Sequence, residues 1–311
     1  MAVRPTRRAA AGAARQLEEI AERLGSSLRV TSLIAHGAST DTYRIELDDG
    51  RSLAAQRLIG ATAVRRVATA TAIATRLAAA GVPVPGPVSV VRVGRVSWLA
   101  APWVDGESGR QWLDTAARSR RLAAGMGALT IRLARADASD LGLERGWGNA
   151  DEVQRMATAC LTRLSGSLGA DEVGRLRDAA AIAGASPAGA SPVFAHGDFA
   201  PVNVILAPDG AVRAMLDLES ARLSAPLLDV AWWGWILRFH HADAWARTWP
   251  VFLDAAGVVG DRETTVLIEA IQRVRCLELA ASARDPISRA AWLARLRATL
   301  QWPRSAGSSR R

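Results

Sequence analysis

The chain has 311 residues, half of them apolar, with 39 basic groups against 30 acidic ones and two cysteines. That length holds one large or two modest domains, and no uncharged apolar run approaches a membrane span. Residues 1–104 carry fourteen Arg against seven acids, while residues 105–300 are close to neutral; without a zinc-finger, RNP-like or helix-turn-helix pattern, this dispersed excess makes specific nucleic-acid binding a last-ranked reading.

The N-terminal segment lacks the apolar core of a secretory signal. Residues 12–24 read as an amphipathic surface helix closed by Gly25-Ser26-Ser27. From Val30 to Gly60 the pattern is strand, small-residue loop, strand, turn, strand, with Asp49-Gly50 as a hairpin turn. The loop His36-Gly37-Ala38-Ser39-Thr40 would leave backbone N–H groups and small hydroxyls free to meet an anion. Residues 61–80 predict a helix closed by Gly81 and stopped by Pro83 and Pro85. Two further strands follow, VSVVRV and VSWLAAPWV, turning at Gly94. After Asp105-Gly106-Glu107 the texture becomes helical, at Gln111–Leu133 and again at Asp151–Ala183. The plan is thus a first lobe of sheet plus one helix, a connector at Ala100–Gly106, and a mostly helical second lobe. Cys160 and Cys276 lie far apart within helical patterns and read as buried thiols of a reducing, cytoplasmic compartment.

The segment from Phe194 to Trp233 carries the chemistry. His196-Gly197-Asp198 is followed, five residues after the aspartate, by Asn203. Two apolar runs joined by Pro208-Asp209-Gly210 predict a hairpin, and the second ends on Asp217-Leu218-Glu219. An Asp and an Asn on one loop, with a second Asp returned beside them, can hold a hydroxyl nucleophile and magnesium around nucleotide phosphates. Beyond it, Asp229 opens a helix through WWGWILRFHHADAWARTW, and further helices are expected at Val251–Ala256, Glu263–Ala283 and Ile287–Leu300. Five Trp crowd residues 232–249. Helical spacing makes most of them core, with one or two available to stack on a sugar ring. The tail from Gln301 reads as disordered.

The loop HGD-x4-N at His196–Asn203, the D-x-E hairpin end at Asp217–Glu219, the P-x2-D-x-A element at Pro226–Ala231, the loop GASTDTYRI and the helix exit LAAAGVPVP together resemble the aminoglycoside phosphotransferase family, from about Leu33 to Leu300. The resemblance implies an α+β, bilobal protein-kinase-like fold: an N-terminal helix (1–25), an antiparallel-sheet N-lobe (26–103), a mostly helical C-lobe (104–300) and a tail (301–311). It implies ATP- or GTP-dependent phosphoryl transfer, with Mg2+, to a hydroxyl of a small molecule such as an antibiotic, sugar or amino alcohol. By position, Asp198 matches the catalytic base, and Asn203 and Asp217 match the magnesium ligands. His196 braces the loop, Glu219 supplies a further acid, and Asp229 supports the loop from its helix start. Gly37, Ala38, Ser39 and Thr40 would cover the phosphates, and Pro102 C=O with Val104 N–H would meet the adenine edge.

Two departures stand out. Not one Lys occurs, so the third-strand phosphate contact falls to Gln56, by ungapped counting, or, by strand alternation or a one-residue slip, to Arg57, which is favoured and would present a planar fork in place of a point charge. The helix that should carry a pairing Glu near Ala70 has no acid from Ala61 to Pro85. These leave a catalytically weak nucleotide- or ligand-binding pseudokinase as the alternative. Candidate acceptor-site acids (Asp105, Glu107, Asp151, Glu152, Asp243, Glu269, Glu278, Asp285) are scattered, which argues gently against a polycationic acceptor.

Overall fold

The protein is described from a computed structural model covering residues 7–36, 40–58, 63–86, 88–185 and 191–302. The loop Gly37–Ser39 and most of the tail expected to be disordered lie outside the described residues.

Strands β1 (Leu28–His36), β2 (Thr40–Leu47), β3 (Ser52–Leu58), β4 (Ser89–Val93) and β5 (Val96–Pro102) form an antiparallel sheet in the order β1-β2-β3-β5-β4. The β2–β3 turn works as its sequence suggests: Gly50 takes φ 86°, and Asp49 Oδ1 accepts from Arg51 N at 3.0 Å. Period-two alternation sends Ile45, Leu47, Leu53, Ala55, Val91, Val93 and Trp98 to one face. Helix α1 (Arg7–Arg23) covers that face with Leu17, Ile20 and Ala21, each no more than 1 % exposed. The apolar stripe of this amphipathic helix closes the core of the first lobe.

Helix α2 (Ala63–Ala79) ends where Gly81, at φ 75°, turns the chain. Its last turns belong to the second lobe, because Ile73 and Leu77 pack into that lobe's core. Three polar contacts hold the junction: Met215 N donates to Pro83 O (2.7 Å), Arg132 Nη1 to Gly81 O (3.1 Å), and Arg76 pairs with Asp140.

The connector leads into a short strand, β6 (Glu107–Ser108), then a 3-10 turn at Gly109–Leu113 and α3 (Ala116–Ala134), N-capped by Thr115. Strand β7 (Glu144–Trp147) precedes α4 (Ala150–Arg163) and α5 (Ala170–Gly184), so the helical run expected over 151–183 is two helices. Strand β8 (Val193–Ala195) enters the His196–Asn203 loop. Strands β9 (Val204–Leu206) and β10 (Val212–Met215) form the expected hairpin, with Gly210 at φ 90°, and β9 also pairs with β6. Strand β11 (Arg222–Ser224) lies between β7 and β8. Helices α6 (Leu228–His240), α7 (Ala242–Ala255), α8 (Arg262–Ser282) and α9 (Pro286–Leu300) finish the chain.

The α6/α7 break departs from expectation. The chain turns at His241 (φ −142°, ψ 50°), and α7 runs straight through Pro250. Packing decided this: α6 lies along α8 and α7 along α3, so the two cannot be collinear. The lost Pro250 N–H is one hydrogen bond against that burial.

Candidate active site

Strand β8 delivers His196 into the protein interior, where it is fully buried. Its Nδ1 accepts from Asp198 N at 3.2 Å, so the ring hydrogen lies on Nε2, 2.8 Å from Leu216 O, to which it donates. One imidazole therefore ties the loop before Asp198 to the end of β10 before Asp217. Asp229, in the first turn of α6, accepts from His196 N (2.7 Å) and Gly197 N (2.9 Å). Its complete burial pushes its pKa up, with His196, the two N–H donors and Arg222 pulling the other way.

Asp198 is half-buried. Asn203 Nδ2 donates to its backbone O (2.8 Å) and to Oδ2 (3.2 Å), and Trp232 Nε1 donates to Oδ1 (3.0 Å). Asn203 O accepts from Leu216 N at 2.8 Å, which draws the hairpin end beside the loop. Asp217 follows at φ 59°, ψ 64°, the one non-glycine residue at positive φ among the described residues. Left-handed backbone at a side chain of this kind concentrates at functional sites. Asp217 and Glu219 are exposed.

Among the described residues no three His, Cys, Asp and Glu side chains converge as a self-sufficient metal site. The donors present still suit magnesium. With Asn203 Nδ2 engaged by Asp198, its Oδ1 remains a hard oxygen donor, Asp217 follows the Leu216 N–Asn203 O bond with a carboxylate, and one or two such donors plus phosphate oxygens are what magnesium takes.

Strand alternation puts the two third-strand candidates on opposite faces of the sheet. Gln56 shares a face with Ala54, Leu58, Leu99 and Ala101, whereas Arg57 shares one with Ala55 and Trp98, the face closed by α1. Gln56 thus lies on the sheet face opposite α1, and Arg57 on the face that α1 closes. Arg57 lies opposite Asp41 on β2, and its buried Nε has no hydrogen-bond partner. Thr40, the last residue of the anion loop, begins β2.

Trp103 N donates to Ser52 O at 2.8 Å, so its neighbours Pro102 and Val104 turn their C=O and N–H away from β3, past the end of β4. The connector then meets β9 at Gly106, where a Cβ would lie 2.4 Å from Leu206 O.

Sequence reasoning missed the support behind the loop. Arg275 and Glu278 on α8 and Arg222 on β11 are all buried. Glu278 bonds Arg222 Nη1 (2.8 Å), Arg275 and Trp147 Nε1 (3.0 Å), and Arg275 Nη2 donates to Gly197 O at 2.8 Å. Burial alone would raise the Glu278 pKa, but Arg275 and Arg222 outweigh it and bring it down to about 2. The signal was present in the sequence: Arg275 and Glu278 are charged residues, three apart, inside the apolar stretch 270–281. Trp232 is buried in the core, as helical spacing suggests for most of the Trp at 232–249; its hydrogen bond to Asp198 was not foreseen, although it follows Asp229 by three and so shares its helix face.

Residues 30–265 match the model of the phosphotransferase enzyme family, well over half of the chain. The chain belongs to that family. No curated protein sequence matches the family member at a significant level. Among solved structures, this phosphotransferase is similar to a thermostable mutant of aminoglycoside phosphotransferase APH(4)-Ia in ternary complex with ADP and hygromycin B: TM-score 0.70, 14% identity, 94% of this chain and 100% of that one. It is also similar to macrolide 2'-phosphotransferase MphH from Brachybacterium faecium (0.67, 18%, 91% and 97%) and to APH(2")-IIIa with GDP and kanamycin (0.71, 14%, 92% and 98%). At these identities the likeness establishes the fold, which is the bilobal protein-kinase-like one. Family and fold together support small-molecule phosphotransfer. Among the described residues, no helix is long and apolar enough to cross a membrane.

Proposed function

We propose that this phosphotransferase moves the γ-phosphoryl group of ATP or GTP to a hydroxyl of a small molecule. Asp198 orients the acceptor hydroxyl and takes its proton as the new O–P bond forms and the bond to the leaving nucleoside diphosphate breaks. Asn203 and Asp217 would hold magnesium, which when bound neutralises charge on the phosphates. Gly37, Ala38, Ser39 and Thr40 cover the phosphates, Pro102 and Val104 meet the base, and His196 and Asp229 fix the loop. Glu219, two residues beyond Asp217 in the 3-10 turn Leu218–Ser220, is a further acid for the metal position. The observation that carries this reading is the assembly of Asp198, Asn203 and Asp217 through Asn203 Nδ2, Leu216 N and His196 Nε2.

The acceptor that fits best is not a polycation. Glu278 and Glu269 are spent in buried pairs with Arg. Glu107 pairs with Arg118, Glu152 accepts from Gly148 N, Asp105 accepts from Trp103 Nε1, and Asp285 caps α9. An acceptor with no charge or a single one, a sugar or a macrolide-type antibiotic, needs fewer free carboxylates than a polycation. Two free, buried cysteines agree with a reducing compartment such as the cytoplasm.

The test is transfer of labelled γ-phosphate from ATP or GTP, with magnesium, to a panel of antibiotics, sugars and amino alcohols. Asp198→Ala should lower the rate by about 100-fold or more while leaving nucleotide binding in place. A second reading, a nucleotide-binding protein without turnover, draws on Gln56 in the phosphate slot and the acid-free α2. Metal-dependent nucleotide binding with no transfer to any acceptor would favour it.

A further inference from the structure

Resting on the phosphotransfer reading, we propose that Trp232 is a positioning residue, whose indole N–H fixes the plane of the Asp198 carboxylate.

A carboxylate rotates easily about its last torsion, so its orientation is set by what bonds to it. Asn203 reaches Oδ2 at 3.2 Å, and Trp232 Nε1 holds Oδ1 at 3.0 Å. The indole has one donor and no acceptor, so this bond has only one polarity. It holds the carboxylate as an acceptor and leaves its remaining lone pairs for a hydroxyl. Other tryptophans of this chain show that such a bond is not forced by burial. Trp98, Trp112 and Trp233 keep buried Nε1 atoms with no partner.

The Trp232 ring is itself immobilised. Trp235 stacks on it with centroids 4.7 Å apart and planes 4° from parallel, and Trp235 Nε1 donates to Thr299 Oγ1 at 2.9 Å. Trp292 packs at 6.2 Å. The Arg275 guanidinium carbon lies 5.7 Å from the Trp232 centroid, and the same guanidinium holds Gly197 O. One Arg–Trp unit thus grips the backbone just before Asp198 and the side chain of Asp198 together. That anchors the base to α8 and α9 independently of the hairpin that carries Asp217.

Trp232→Phe keeps most of the apolar volume and removes the N–H. Site-specific replacement by 3-benzothienylalanine keeps the full indole shape with sulfur in place of N–H. Both variants should lose about 10- to 100-fold in kcat, the scale of a displaced catalytic group. The Kd for ADP and the KM for nucleotide should stay within about twofold, because Trp232 touches the base and not the phosphate seat. Trp98→Phe, in the separate core of the first lobe under α1 where its Nε1 bonds nothing, gives the background.

A parallel readout needs no turnover. In 15N-tryptophan-labelled protein, the Trp232 indole resonance should shift on Asp198→Ala. A kcat for the benzothienyl variant within about twofold of the parent, or an indole resonance indifferent to Asp198→Ala, overturns the proposal. If the parent transfers no phosphate, the functional reading falls, and the hydrogen bond is then decided by the indole resonance alone.

Discussion

At the scale of single residues, Gly197 shows how tightly the loop is drawn. It sits at φ 78°, and a Cβ there would lie 2.1 Å from Ser220 O, so only glycine lets β8 and the segment after Asp217 approach this closely. Gln56, on the face of β3 away from α1, raises a different question: if this is the face that meets the nucleotide, an amide stands where a cation would meet the phosphates. Gln56→Lys should therefore tighten binding of ATP or GTP, by about 1–3 kcal/mol if the new charge bonds phosphate directly. Arg57→Ala, on the face under α1, should leave nucleotide Kd within about twofold; isothermal titration of both variants checks the assignment. Glu278 carries a pH signature. Its pKa is depressed in the folded protein, so its stabilising contribution is complete above the ordinary value of 4.5 and is lost as pH falls toward about 2. Glu278→Gln should cost about 3–5 kcal/mol near neutral pH, because two buried guanidinium groups lose their partner. In urea unfolding series the gap to the parent should narrow through that acid window. Asp229 acts with the opposite sign: burial raises its pKa, so protonation at falling pH relieves a penalty.

Elements were chosen by what they could bury. Helix α1 has an amphipathic sequence that is compatible with solvent on one side, and its other side fills the first lobe. Ile20 is fully buried there, so Ile20→Ala should destabilise the protein by about 2–5 kcal/mol, read as a lowered thermal midpoint. A helix merely resting on the surface would lose almost nothing. Helix α2 is divided between the lobes: the polar link expected of it, an acid near Ala70, is missing, but Ile73 and Leu77 anchor its end in the second lobe's core. Its position is held by packing instead of by an ion pair to β3. Helices α6 and α7 make the same point about prolines. Pro250 lies inside a helix because burial along α3 outweighs one missing hydrogen bond, and the break falls at His241, where no proline marks it.

On the scale of the molecule, two lobes meet at the connector and at the end of α2, and the catalytic loop and hairpin hang from the second lobe's core. Family, fold and the identity of Asp198, Asn203 and Asp217 as a group were legible in the sequence because local spacing carries them: a loop of fixed length, a two-residue turn, a helix start. The hairpin, the turn at Asp49-Gly50 and the helix exit at Gly81 were legible for the same reason, each being decided within a few residues by backbone conformation. What the sequence by itself could not decide were relations between segments far apart in the chain. Whether Gln56 or Arg57 faces the cleft depends on which side of the sheet α1 covers. The Arg275–Glu278–Arg222 network joins α8 to β11, to Gly197 and to Trp147, across 131 residues in its longest link. Trp232 acquires its role only when Asp229 brings the start of α6 against the loop. Local patterns report backbone preference. Which face is buried, and which donor meets which carboxylate, is decided by packing between elements, and that is a property of the folded chain.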